Sequence, residues 1–305
     1  MGSYASGIVT LLAINCIAAM GVSLFTGFTG IFTLGHAGYM AIGAYTAAIL
    51  TVKYEVYWLL GIIGGGLMGM ALAYLIGIPT LKLVGDYYTI ASLGLGEAIR
   101  LVIENWNSMT RGARGFPGIE NYATLPAVLS IAVVMAVAMF FIINSNFGRA
   151  FKACRDDNVA ALLLGFHTSR YRVFSLAISG FYCGVSGALF GGFMGFIQPV
   201  MFDMAKSTEL VSIVVFGGLG SMSGSILGTG ILTLVTEVFR PISQYRMLIY
   251  GLVLVMIMVL RPEGLLGTSE LSPAYIKRLY RKLRPSGDTE GTSEEVMRDE
   301  RPGTN

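Results

Sequence analysis

Charge is scarce in this sequence. Only 13% of its 305 residues are Asp, Glu, Lys or Arg, against about 25% in ordinary soluble chains. Histidine occurs twice, at His36 and His167, and cysteine three times, at Cys16, Cys154 and Cys183, with no CxxC pair. That spacing excludes the usual metal frameworks and leaves buried or cytosolic free thiols. No Lys or Arg precedes Lys53, so "MGSYASG" lacks the basic start of a secretory signal, and the first apolar run is expected to stay in the mature protein. HExxH, GxSxG and GxxxxGK[ST] are all missing, and "GLGE" (94–97) lacks the third glycine of a dinucleotide fingerprint. With no nucleophile–base pair, metal set or phosphate loop, the chain is not expected to be an enzyme. No metal or cofactor of its own is expected either.

What fills the sequence is apolar. Hydrophobic residues make up 54%, and the mean hydropathy is +0.68. A soluble helical protein would show a polar stripe on each helix, and these runs show none. About 20 helical residues cross the hydrocarbon core, and candidate spans fall at 8–26, 37–52, 56–78, 87–103, 123–143, 173–196, 207–220, 224–239 and 245–260. The expected fold is therefore an all-α polytopic membrane protein with about nine transmembrane helices, eight or ten also fitting. Forty glycines suit a bundle whose backbones approach closely. Gly-rich breaks at 27–38 and 217–224 predict discontinuous helices, and the short 207–220 piece predicts a half-helix or re-entrant segment. "LGHAGYMAIG" (34–43) and "LGSMSGSILG" (219–228) share a glycine pattern that would fit duplicated halves.

Basic residues set the orientation. Five lie in 144–172 and eight follow Leu260; with Lys82 they place fourteen on one side. Lys53, Arg111, Arg114, Lys206, Arg240 and Arg246 fall on the other. Nine crossings with the N-terminus outside and the C-terminus cytoplasmic satisfy this count. The expected organisation is a transmembrane domain over 1–267, a basic membrane-surface helix over 268–284 and a disordered tail over 285–305. "YIKRLYRKLR" (275–284) places five cations beside Tyr and Leu, as suits anionic lipid.

Charges within spans point most sharply to function, because each costs at least ~2.5 kcal/mol in hydrocarbon. Glu97, Arg100 and Glu104 share a helix face by their three- and four-residue spacing. They read either as a self-neutralising structural ridge or as the lining of a solvated path or subunit contact. His36, beside Gly35, sits at a span entrance, where it either bonds a helix end or serves in gating. Gly217, Gly218 and Gly220 mark the second break. The remaining anomaly is the basic island "NSNFGRAFKACRDDNVAALLLGFHTSRYR" (144–172), amid apolar runs. It reads as a cytoplasmic loop, with His167 a solvated or interface residue.

Six stretches in order resemble the LivM-type permease subunits of ABC importers for branched-chain amino acids. They are "GFTGIFTLGHAGYMAIGAYTAAIL" (27–50), "GDYYTIASLGLGEAIRLV" (85–102), "TRGARGFPGI" (110–119), "GRAFKACRDDNVAALLLGF" (148–166), "VVFGGLGSMSGSILGTGIL" (214–232) and "LIYGLVLVMIMVLRPEGLLG" (248–267). The resemblance implies an ABC importer permease fold in the inner membrane of a bacterium or archaeon. It also implies a LivH-type partner permease, two ABC ATPase subunits that use ATP and Mg, and an extracytoplasmic amino acid-binding protein. In such permeases a cytoplasmic coupling helix meets the ATPase, often with an EAA-x3-G pattern. Here Ala160, Ala161 and Gly165 match that pattern, while Val159 stands in place of the Glu. Arg149, Arg155, Asp156 and Leu164 complete the expected coupling region, the two arginines as charged contacts around its rim. Urea, short amides or other amino acids remain rival cargoes. A self-sufficient secondary transporter or channel, using Glu97 and Arg100 as coupling charges, is the rival class.

Overall fold

Apolar runs become helices here because lipid offers the backbone no hydrogen-bond partner, so each span must satisfy its own N–H and C=O groups. The computed structural model describes residues 2–83, 85–238 and 251. Apart from Gly251, the expected span 245–260 lies outside the described residues, as do the basic segment and the tail. The chain divides into two units, Met1–Ser269 and Glu270–Asn305, the second wholly outside the described residues.

In the first unit α1 (Gly2–Val22) runs into a π-helical segment, Ser23–Phe28. After an irregular stretch, α2 (His36–Ala48) continues into a second π segment, Ile49–Lys53. Then come α3 (Trp58–Thr80), α4 (Asp86–Asn105), the one-turn α5 (Asn107–Thr110) and α6 (Leu125–Asn144). The island folds as α7 (Asn146–Asp156) and α8 (Asn158–Leu163). Next are the long α9 (Thr168–Met194), then α10 (Met204–Gly217) and α11 (Met222–Val238). Helices thus occupy eight of the nine expected spans. Two-residue strands β1 (Phe116–Pro117) and β2 (Phe196–Ile197) pair antiparallel and join two loops.

Four helical stretches, Tyr4–Phe28, Trp58–Thr80, Leu125–Asn144 and Thr168–Met194, are long and apolar enough to cross a membrane. The pair Pro199–Gly217 and Met222–Leu234 qualifies together but is bent by 120°. The expected 207–220 segment is therefore half of a broken element, because Gly218 (φ +118°) and Gly220 (φ +90°) reverse the chain where side chains would be strained. Expected spans 37–52 and 87–103 form helices of a different kind. α2 is sheathed by protein on nearly every side, and α4 carries Asp86, Glu97, Arg100 and Glu104.

Burial separates centre from rim. The apolar windows of α1 and α9 are 78% buried, against 33% for α3 and 22% for α6, whose outer faces are left for lipid. α9 is the axis of the bundle, and glycines make its packing possible. A Cβ on Gly184 would lie 2.6 Å from the Gly65 carbonyl oxygen of α3, and one on Gly69 would lie 2.6 Å from that of Gly180. Without a hydrophobic drive between helices in lipid, such close contact supplies the association energy. Hydroxyls add cross-links: Ser186 Oγ donates to the Ile14 carbonyl (2.9 Å), and Tyr182 OH donates to that of Met135 (2.9 Å).

Candidate functional site

The island begins where Ser145 caps α7, its Oγ accepting the Phe147 N–H at 3.2 Å. Gly148, Ala150, Phe151 and Cys154 face inward, while Arg149 and Asp156 are exposed. Burial pushes the Cys154 thiol up from its ordinary pKa, with Arg172 opposing, so this sulfur is held as an inert thiol. Arg170 and Arg172 lie in the opening turns of α9.

α8 is a single capped turn. The Asp157 carboxylate accepts the N–H groups of Val159 (2.8 Å) and Ala160 (3.0 Å), so Asp157 is its N-cap. At the other end, Gly165 at φ +86° donates to the Leu162 carbonyl and Phe166 donates to that of Ala161, both at 3.0 Å. This is a Schellman closure, which favours glycine at its left-handed position. Val159, Leu162, Leu163 and Leu164 are left bare, Leu163 85% exposed. Ala161, expected to meet a partner, is instead 2% exposed and packs inward, with Ala160 outside. Ala161 is the one buried residue of α8. With Val159 exposed and Asp157 capping, the missing Glu leaves no orphaned amide at positions 159 and 160.

Arg155, half-buried at the end of α7, reaches into the bundle. Its Nη1 donates to the Gly27 carbonyl at 3.1 Å, at the end of the first π segment, and its Nε pairs with Asp156 at 3.1 Å. The side chain also fills the space where a Cβ on Gly30 (φ +71°) or Gly220 (φ +90°) would stand. Gly27 and Gly220 in turn lie backbone to backbone, a Cβ on Gly27 falling 2.6 Å from the Gly220 nitrogen. One guanidinium thus touches both breaks. Beside it, Lys152 Nζ lies 5.4 Å from the centre of the Phe28 ring, within cation–π range.

The entrance to α2 is held from three helices. Ser92 of α4 accepts the Leu34 N–H and Ser207 of α10 accepts the Ala37 N–H, each at 3.1 Å; His36 Nε2 bonds Ser179 Oγ of α9 at 2.7 Å. Gly35 packs against the Ser92 carbonyl, leaving no room for a side chain. His36 is fully buried at the first position of α2. Its Nδ1, with Ser23 Oγ and Thr26 Oγ1 of the π segment, is buried without a partner. π-helical turns of this kind are frequent at functional sites.

Glu97, Arg100 and Glu104 do form one ridge on α4: Arg100 bonds Glu97 at 2.7 Å and Glu104 at 2.9 Å. A second polar knot was not foreseen. Lys206, expected in an outer loop, sits in the first turn of α10 and reaches Asn15 of α1 (3.1 Å) and Glu209 (3.2 Å). Asn15 is a lone polar residue in an otherwise apolar run, and that isolation was the available signal. No group of three or more potential metal ligands occurs among the described residues.

Residues 4–260 match the family described as branched-chain amino acid transport system / permease component. The chain belongs to this family. It is 32% identical to the high-affinity branched-chain amino acid transport system permease protein LivM of Escherichia coli, the match covering 85% of this chain and 69% of that protein. It is 27% identical to the LivH protein of Salmonella typhimurium, with 86% and 94% covered. A shorter match, again 27% identical, covers 63% of this chain and 59% of the autoinducer 2 import system permease protein LsrC of Yersinia pseudotuberculosis. No solved structure matches. The permease is an all-α, multi-pass membrane protein, and the LivM-type resemblance carried by its six motifs agrees with the family to which it belongs.

Proposed function

We propose that this permease translocates branched-chain amino acids by alternating access, paired with a LivH-type permease. Two separate ATPase subunits drive it, using ATP and Mg, and an extracytoplasmic binding protein feeds it. The identity to LivM supports this cargo. The name of LsrC carries a different one, so relatives do not all share a substrate. In this arrangement the N-terminus lies outside and the C-terminus and the α7–α8 island face the cytoplasm. The chain has no ATPase site of its own.

One observation carries the mechanism: α8 presents a bare apolar surface, and α7 behind it ends in Arg155, seated on both helix breaks. The ATPase docks on Val159, Leu162, Leu163 and Leu164. Its movement displaces α7 as a rigid lever, and Arg155 passes that displacement to the π segment at Gly27 and the turn at Gly220. α1 and α10–α11 then shift together, opening and closing the path alongside the partner permease. Glu97 and Arg100 stay paired throughout as a structural ridge.

Arg155→Ala tests the lever. A hydrogen bond to a charged group contributes about 1.5–3 kcal/mol, so losing this one is expected to lower uptake at least roughly tenfold, at about 1.4 kcal/mol per decade. ATP hydrolysis by the assembled importer should persist, now uncoupled from transport. Arg155→Lys, which keeps the charge without the fork, should recover part of the uptake. Full uptake in the alanine variant counts against the lever.

A further inference from the structure

Outside this machinery a groove of about 720 Å³ opens on the flank of the bundle where α3 ends and α9 begins. Tyr74 and Ile78 of α3 and Val173 and Phe174 of α9 form its apolar walls. Phe147, in the first turn of α7, closes one side, its ring centre 5.4 Å from that of Phe174. Lys82 and Arg170 stand with His167 at the mouth, and no acidic residue lines the groove. Lys82 and Arg170 are both exposed, and neither pairs with a carboxylate among the described residues.

The order of these groups matters. Thr80 and Thr168 end two helices long and apolar enough to cross a membrane, which puts the cations at the end of each apolar run. From Tyr74 to Thr80 the walls run about 9 Å toward the hydrocarbon, at about 1.5 Å per residue. Cations at the surface with apolar side chains beneath them, Ile78 then Tyr74 on α3 and Val173 then Phe174 on α9, repeat the order of charged headgroup and acyl chain along a phospholipid molecule. Basic pockets between transmembrane helices recognise anionic headgroups in this way.

We infer that this groove is a binding site for one anionic phospholipid. Its phosphate is held by Lys82 and Arg170, and its acyl chains lie along Tyr74, Ile78 and Phe174. A lipid seated there touches Phe147 and so braces α7 against α3 and α9. That consequence for coupling rests on the role proposed above for the island; the binding does not.

Binding is tested by native mass spectrometry of the full chain in detergent with dioleoylphosphatidylglycerol or dioleoylphosphatidylcholine. The expected result is one tightly retained phosphatidylglycerol, preferred over phosphatidylcholine. Lys82→Ala with Arg170→Ala should cut that preference roughly thirtyfold, at about fivefold per surface cation. Arg111→Ala with Arg114→Ala, on the loop after α4, should leave it unchanged. Both pairs are expected to keep the wild-type thermal midpoint, and Lys82→Arg with Arg170→Lys should retain binding. Equal retention of the two lipids, or a preference surviving in Lys82→Ala/Arg170→Ala, overturns the site. So does a preference that vanishes in the assembled importer, where a partner's acidic surface would then fill the groove. None of these readouts depends on transport.

Discussion

Changing Leu163 and Leu164 together to glutamate is expected to reduce ATP-driven uptake to background while the permease still inserts and assembles with its membrane partner. These two side chains, the last of α8 and the one that follows it, are 85% and 76% exposed, so neither contributes to the bundle. Burying a leucine contributes about 1.5–3 kcal/mol, so losing two weakens ATPase docking at least roughly hundredfold, at about 1.4 kcal/mol per decade. Two carboxylates forced into an apolar groove add a desolvation cost. Co-purification of the ATPase on the tagged permease is the direct readout. Leu163→Met with Leu164→Met keeps volume and apolarity and should co-purify normally. Retained ATPase on the glutamate variant would move the docking surface elsewhere.

The second large effect concerns stability. Gly184→Leu is expected to prevent recovery of folded permease from the membrane. A Cβ alone would stand 2.6 Å from the Gly65 carbonyl oxygen and 3.0 Å from the Gly66 Cα. These neighbours are backbone, so relief requires α3 and α9 to part along the interface that glycines zip closed. Overpacking costs about 1–3 kcal/mol even where side chains can yield. Here more than about 3 kcal/mol is expected, a large share of the roughly 5–15 kcal/mol that holds a domain folded. Gly94→Leu is the control, since nothing lies within 4 Å of a Cβ there. Gel-filtration recovery and the thermal midpoint distinguish the two, and a normal midpoint for Gly184→Leu would mean that the helices pack less closely than described.

Much of this architecture was legible because lipid imposes simple rules. Long uncharged runs had to become helices, and the glycine-rich stretches at 27–38 and 217–224 coincide with the breaks around Gly30 and Gly218–Gly220. The charged ridge on α4 followed from spacing alone. What escaped the sequence depends on distance in space. Arg155 looked like one of several loop cations, because nothing local tells that Gly27 and Gly220 come to meet it. Ala160 and Ala161 differ only in which way one turn faces. The Asn15–Lys206–Glu209 knot joins residues about 190 positions apart, and the β1–β2 pairing is two residues long, too short to leave a pattern. The π segments are equally silent, since widening one turn alters no periodicity that six residues can display.

The central claim is that this chain moves its cargo only when a separate ATPase works on it. Uptake of radiolabelled leucine into proteoliposomes tests it, comparing the permease alone with the permease joined by its partner permease, ATPases and binding protein. The account predicts no accumulation by the chain alone, with or without an ion gradient, and ATP-dependent accumulation by the complete set. Leucine uptake by this chain alone would contradict it.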